Sequence, residues 1–250
     1  MGMKVVRGKR LRATRVDRCG LPLAGQAAQL VTKGFISVKY TQEMKDADDL
    51  EQTNADGENC VVDRTAPQIK WATVEAQLCD VDPELLNMLT GLPMVLDYAN
   101  KPNGFRINDT VQVDEGVALE LWSGTAGDDC DEPEDDSILE ADTSLMEYGY
   151  WLAPAVVEGV IGDIEIGASV TTFTITGRAV SAPRWGRGPY DVIHQDAKGT
   201  PGRLLTPLRK KEFIHVEKTL VAPPPVVAGA QPLTLPTPYF GPITPTDPEG

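Results

Sequence analysis

Residues 69–79 alternate in character. Ile69, Trp71, Thr73, Glu75 and Gln77 fall on one side, and Ala72, Val74, Ala76 and Leu78 on the other. A period of two held over that span fits a strand with two different faces and does not fit a helix, whose apolar positions recur every three to four residues. The same reading applies to residues 35–40, 117–122, 147–152 and 164–166. Residues 169–180, rich in Thr and other β-branched side chains, give the strongest strand signal. The 23 Gly and 20 Pro supply turn residues between such segments. The expected fold class is mainly β.

One helix is marked at both ends. In residues 82–91, Asp82 is placed to cap, Pro83 takes the first helical position and Glu84 puts an acid in the first turn. Leu85, Leu86, Met88 and Leu89 supply an apolar face, and Gly91 is a natural stop. Two turns are too short to persist alone, so this helix is expected to pack on a sheet.

Charge comes in blocks. Residues 4–18 carry Lys4, Arg7, Lys9, Arg10, Arg12, Arg15 and Arg18 against Asp17 alone, which reads as a basic N-terminal arm spanning 1–18. Residues 43–58 are acidic apart from Lys45, and 128–142 hold nine acids and no base. A second basic stretch contains Arg203, Arg209, Lys210 and Lys211. Such runs read as solvated loops or tails, and their separation by sign suits copies that dock acidic loop to basic arm. A β domain then spans 19–221. Residues 222–250, opening with Ala222-Pro223-Pro224-Pro225, are expected as a Pro-rich extended arm that is ordered only where a surface receives it. The net charge of −14 argues against a phosphate-gripping surface, which works by releasing counterions to a basic excess. It is compatible with a surface past which nucleic acid slides.

The sequence offers no recognisable catalytic constellation, and the chain is expected to be no enzyme. His194 and His215 sit among Pro, Gly and charged residues and read as solvent-facing or interface side chains. Gly159-Val160-Ile161-Gly162 lacks dinucleotide-binding spacing and reads as a turn between strands. Residues 128–136 are rich in carboxylates but lack the alternating spacing of a calcium loop. Cys19, Cys60, Cys79 and Cys130 match neither paired CxxC nor zinc-knuckle spacing and are expected as reduced thiols. The N-terminus lacks the apolar core of a signal peptide, and no apolar run approaches the roughly 18 residues that span a bilayer. No catalytic, cofactor-binding or metal-ligating residue is assigned, and no cofactor is expected.

Residues 75–91, reading EAQLCDVDPELLNMLTG, resemble a segment of the major tail tube proteins of actinobacterial siphophages, the long non-contractile-tailed bacteriophages. Cys19-Gly20-Leu21-Pro22 is similar to the family's "CGxP" opening. Asp56-Gly57 followed by Cys60 is similar to its "DGxxC" hairpin return, and residues 185–192 resemble its "WGxGPYDV" element. The likeness covers residues 15–220 and leaves the acidic run 128–142 and the end beyond 222 unmatched.

The resemblance implies a β-sandwich-like tail tube fold with one short flanking α-helix and extended terminal arms. It implies a structural virion protein, made in the bacterial cytoplasm, whose copies form hexameric rings with inner sheets joined around a lumen. Rings would stack into the tube that delivers the genome, with a long hairpin loop at 41–61 and the arms reaching neighbouring rings. Partners would be the chain itself, other tail proteins at the tube ends and viral DNA passing without sticking, with no membrane. The acidic loop supports one alternative, a β-sandwich module binding carbohydrate or calcium on the virion.

Overall fold

A computed structural model describes residues 5–45, 49–64, 66–125, 147–164, 171–196 and 199–240. In chain order the elements begin with β1 (Val5–Asp17), β2 (Gly25–Thr32), β3 (Phe35–Lys45), β4 (Asp49–Thr53), β5 (Asn59–Arg64) and β6 (Gln68–Leu78). The helix α1 (Pro83–Thr90) follows, then β7 (Met94–Leu96), β8 (Pro102–Phe105), β9 (Glu115–Thr125), β10 (Tyr148–Ile164) and β11 (Phe173–Ala179). A 3-10 turn (Pro183–Trp185) leads to β12 (Ile193–His194), β13 (Pro201–Gly202), β14 (His215–Thr219) and β15 (Gln231–Leu233). Among the described residues the chain is mainly β, as the alternation requires, with one α-helix.

The main sheet runs β15-β2-β1-β9-β10-β11-β6-β3, with β14 also on β10 and every pairing antiparallel. β10 divides it. Its first half pairs with β9 on one side and, over Tyr148–Leu152, with β14 on the other, while from Val156 onward it pairs with β11. Two layers therefore share β10: β15-β2-β1-β9-β10-β14, and β10-β11-β6-β3. Leu11, Leu119 and Leu121 from the first pack in one core with Val74, Leu78 and Ile175 from the second, giving a sandwich-like arrangement. Leu85, Leu86, Met88 and Leu89 of α1 join that core, each leucine contributing about 1.5–3 kcal/mol by leaving water.

The helix is capped as expected. The Asp82 side chain accepts from the Glu84 N–H at 2.8 Å, and Gly91, at φ 74°, donates its N–H to the Asn87 carbonyl at 2.8 Å. A second core lies on the other face of the first layer. There Val16, Ala118, Trp122, Tyr150 and Leu152 pack with Ala182, Trp185, Val192, Ile193 and Leu204. With a core on each side, residues 116–124 are all buried, so β9 carries apolar residues on both faces rather than the clean alternation read from 117–122.

Two expectations are corrected. The basic arm expected over 1–18 is, in its described part, no free arm, because Val5–Asp17 is an interior strand between β2 and β9. Its odd-numbered Leu11 and Ala13 are fully buried, and the charges of Arg12 and Arg15 find partners within the chain. Gly159–Gly162 is no turn either: it lies within β10, where the register to β11 shifts between Val157 and Val160 and Glu158 adopts φ 57°. This is a β-bulge, and a Cβ at Gly159 would stand 1.8 Å from the Leu89 carbonyl, so the absent side chain lets the end of α1 rest on the strand.

Other segments shift in extent. The strand expected over 169–180 is β11, with 169 and 170 outside the described residues, and residues 165–166 are also outside them. The acidic 43–58 region completes β3 and then forms the β4–β5 hairpin, turning through Asn54–Glu58 with Gly57 at φ 83°. Residues 222–240 run extended as expected, but the surface receiving them is the chain's own: β15 pairs with β2, and Leu233 is buried. Cys130 and the acidic run 128–142 lie outside the described residues.

Candidate functional site

A sheet edge is a row of backbone donors and acceptors, and an uncovered one is a template for another strand. The β2 edge is covered. Gln231 and Leu233 pair with Gln29 and Gly25, the Gln29 amide donates to the Pro232 carbonyl at 2.9 Å, and Glu84 accepts from the Ala230 N–H at 2.5 Å. Further along the same segment, Arg203 donates to the Pro238 carbonyl.

The second layer is different. β3 ends the sheet, so ten of its 11 residues pair with β6 on one side and none pairs with a strand on the other among the described residues. At the layer's far side, β9 stops pairing with β10 at Val117–Val156, so, among the described residues, 157–164 are paired by β11 alone. Among the described residues this four-stranded layer thus has two open edges on opposite sides. Its strands alternate in direction throughout, so a β3 edge laid antiparallel against a β10 edge continues the pattern without a break.

The register also fixes what the layer's outer face presents. Ser37, Gln77 and Thr174 lie side by side, as do Lys39, Glu75 and Thr176, and Thr41, Thr73 and Arg178. Thr73 donates to Glu43 at 3.2 Å, Arg178 meets Glu158 at 2.5 Å, and the Arg178 guanidinium lies 5.1 Å from the Trp71 ring centre. The face is hydroxyl- and amide-rich with both signs of charge interleaved. It lacks the basic excess that phosphate binding needs.

Beneath the first layer, a buried polar cluster fastens the 180–208 segment to the sheet. Arg12 and Glu120 are cross-strand partners, and the guanidinium donates Nε to Oε2 at 2.6 Å and Nη2 to Oε1 at 2.7 Å. Tyr150 donates to the same Glu120 Oε1 at 2.6 Å. The guanidinium also stacks on the Tyr190 ring at 3.4 Å, while the Tyr190 hydroxyl meets that of Thr14 at 2.9 Å. Burial works against the charge of Arg12, but Glu120 outweighs it and holds the guanidinium's pKa above its ordinary value. Burial, then the adjacent Glu120 carboxylate, push the Tyr150 phenol well up, and burial raises that of Tyr190.

Two of the motif segments meet here. Asp17 accepts from the Cys19 and Leu21 N–H groups at 2.8 Å each and pairs with Arg184 at 3.0 Å. Gly20, at φ 87°, leaves room for Ala182, whose Cβ a side chain there would approach to 2.2 Å. The CGLP turn and the segment leading into WGRGPYDV are therefore neighbours in space. The helix segment lies on the first layer's other face, and the DG turn is at the tip of the β4–β5 hairpin.

His215 lies on β14 with Nε2 3.2 Å from Glu217 Oε2. His194, on β12, lines a shallow depression of about 300 Å³ with Glu217, Lys218 and Thr219. The Thr219 hydroxyl there donates to the Val192 carbonyl, and Lys218 pairs with Glu147 at 2.8 Å, so these groups are committed to holding the fold. Cys19, Cys60 and Cys79 are free and exposed. Among the described residues no cluster of three His, Cys, Asp or Glu side chains has metal-binding geometry, and no helix is long and apolar enough to cross a membrane. The calcium alternative rests on residues 128–142, outside the described part.

Sequence reading missed the Arg12–Glu120 pair. Its one signal was a single acid inside the apolar run 117–122. The open edge of β10 carried no signal, because it depends on where β9 stops pairing. In comparisons with known proteins, the chain matches no protein-family model and no curated protein.

Proposed function

We propose that this chain is a structural, self-assembling subunit of a phage tail tube, in which copies join head to tail into rings and rings stack around a lumen. The observation that carries the reading is the β10-β11-β6-β3 layer, open on both sides among the described residues and polar on its outer face. A contact between two different edges of identical chains repeats until it closes, and closure removes every edge of that layer. With the layer's outer face turned inward, the lumen is lined by Thr, Ser and Gln side chains with interleaved charges, past which DNA slides without counterion release holding it. The motif resemblance supports six copies per ring, a place in the virion, and other tail proteins at the two ends. The chain's part in genome delivery is then mechanical: it builds the conduit, with itself as main partner.

Negative-stain electron microscopy and sedimentation of the concentrated full-length chain test this. Stacked rings with a central hole are expected. A single monomeric boundary at every concentration and ionic condition overturns the proposal.

A further inference from the structure

A guanidinium taken out of water needs a carboxylate or another acceptor to answer its charge. Around the 180–208 segment, Arg12 is answered by Glu120 and Arg184 by Asp17. Arg187 and Arg203 are not: among the described residues neither forms an ion pair. The Arg187 side chain is covered, with the residue 6 % exposed and its guanidinium just beneath the surface, and Arg203 is half-buried.

The backbone holds these two arginines side by side. The Leu204 N–H donates to the Arg187 carbonyl at 3.2 Å, and Arg187 Nε donates back to the Leu204 carbonyl at 2.7 Å. That leaves the Arg187 Nη groups for another acceptor. Burial, and then the like charge of Arg203, pull the Arg187 guanidinium below its ordinary pKa. Arg12, which a carboxylate faces, is shifted the opposite way.

The C-terminal segment closes the place. Arg203 Nη2 donates to the Pro238 carbonyl. The rings of Tyr239 and Phe240 lie so close over Gly186 that a Cβ there would stand 3.1 Å from the first and 2.9 Å from the second. Burial raises the Tyr239 phenol, and the neighbouring charge of Arg203 draws it back. Arg203 Nη1 and the Tyr239 hydroxyl are both buried without a hydrogen-bond partner among the described residues. Every unanswered group here can donate, and two of the three side chains carry a positive charge. Their complement is a ligand that only accepts and carries two negative charges, as phosphate and sulfate do.

We infer that Arg187, Arg203 and Tyr239 seat one free oxyanion of the phosphate or sulfate class, and that the bound ion fastens residues 238–240 to the 186–204 segment. The seat lies within one chain and does not rest on the assembly proposed above. It is a single point of two guanidiniums and not a basic stripe of the kind that tracks a nucleic-acid backbone.

Calorimetric titration of the full-length chain with sodium phosphate, at constant ionic strength, is expected to show one ion bound per chain. At about ten times the measured Kd, release of the segment is expected about tenfold less often, read as that much slower chymotryptic cleavage after Tyr239 and Phe240. Arg203→Met is expected to lose both effects, and so controls for phosphate acting on the protease. Tyr239→Phe, which keeps the ring, is expected to bind about fivefold more weakly. Arg209→Met, in the exposed basic stretch nearby, is expected to behave as the unmodified chain. No saturable binding by the unmodified chain, binding unchanged in both Arg203→Met and Tyr239→Phe, or equal binding of acetate overturns the seat. Binding without slower cleavage overturns the fastening. Binding that appears only in an Asp247→Asn/Glu249→Gln variant assigns the place to the chain's own carboxylates and overturns the free ion.

Discussion

Arg12 and Glu120 form an ion pair inside the sheet, and this decides what the pair can contribute. Removing two charges from water costs several kcal/mol per ion, which the bidentate geometry and the Tyr150 hydroxyl offset only while both partners are present. Arg12→Met or Glu120→Leu alone is expected to lower unfolding stability by about 3–5 kcal/mol, since each strands the other's charge or donors. The Arg12→Met/Glu120→Leu double variant is expected to cost clearly less than the sum, measured by urea unfolding of the soluble subunit. Additive losses would show that the two groups do not act as a unit. Glu120 was legible in the sequence only as an acid within an apolar run. Its partner, 108 residues away, reads as part of a solvated arm, because a cluster of seven bases masks Leu11 and Ala13 on the opposite side of β1. Block charge is a property of the sequence, while burial is a property of the neighbours that β2 and β9 supply.

Elements defined by local chemistry were the readable ones. α1 appears at the expected place, capped by Asp82 and stopped by Gly91, because capping depends on residues within one turn of the helix end. The bulge in β10 was not readable in this way. Gly159 marks a close approach from α1, some seventy residues earlier in the chain, and a glycine between strands reads by default as a turn. Gly159→Ala is expected to push the last turn of α1 off the strand and lower stability by about 1–3 kcal/mol, the usual cost of overpacking. Gly162→Ala, whose nearest foreign atom would be at 3.3 Å, is expected to cost far less by the same chemical denaturation. Equal losses would mean that strand propensity, and not the helix seat, dominates. The C-terminal segment was legible as extended from its prolines. That it covers the β2 edge was not, since three residues of pairing leave no pattern in a Pro-rich stretch.

At the scale of the whole molecule, the β class was legible because period two survives in β3, β6 and β11, while the two-layer arrangement depends on β10 changing neighbours midway. That change is what leaves one layer open at both sides, and it makes a prediction about how copies combine. If β3 of one copy meets β10 of the next, each chain has one of each half-contact, and damage to one half spares the other. Met44→Asp introduces a charge at the β3 side and Val160→Asp one at the β10 side, both at side chains about half exposed in the single chain, so folding is expected to persist. Either variant alone has only one working half, and both halves are needed for every contact between identical copies, so each is expected to remain monomeric. Mixed in equal amounts, they have one compatible combination left: the intact β10 edge of the Met44→Asp chain with the intact β3 edge of the Val160→Asp chain. That combination leaves two damaged halves outermost, so growth stops at a heterodimer. Sedimentation of the mixture is therefore expected to show dimers where each variant alone shows monomers. A contact in which like edges meet would instead let each variant dimerise with itself through its undamaged edge, so dimers in the separate samples would exclude the head-to-tail arrangement.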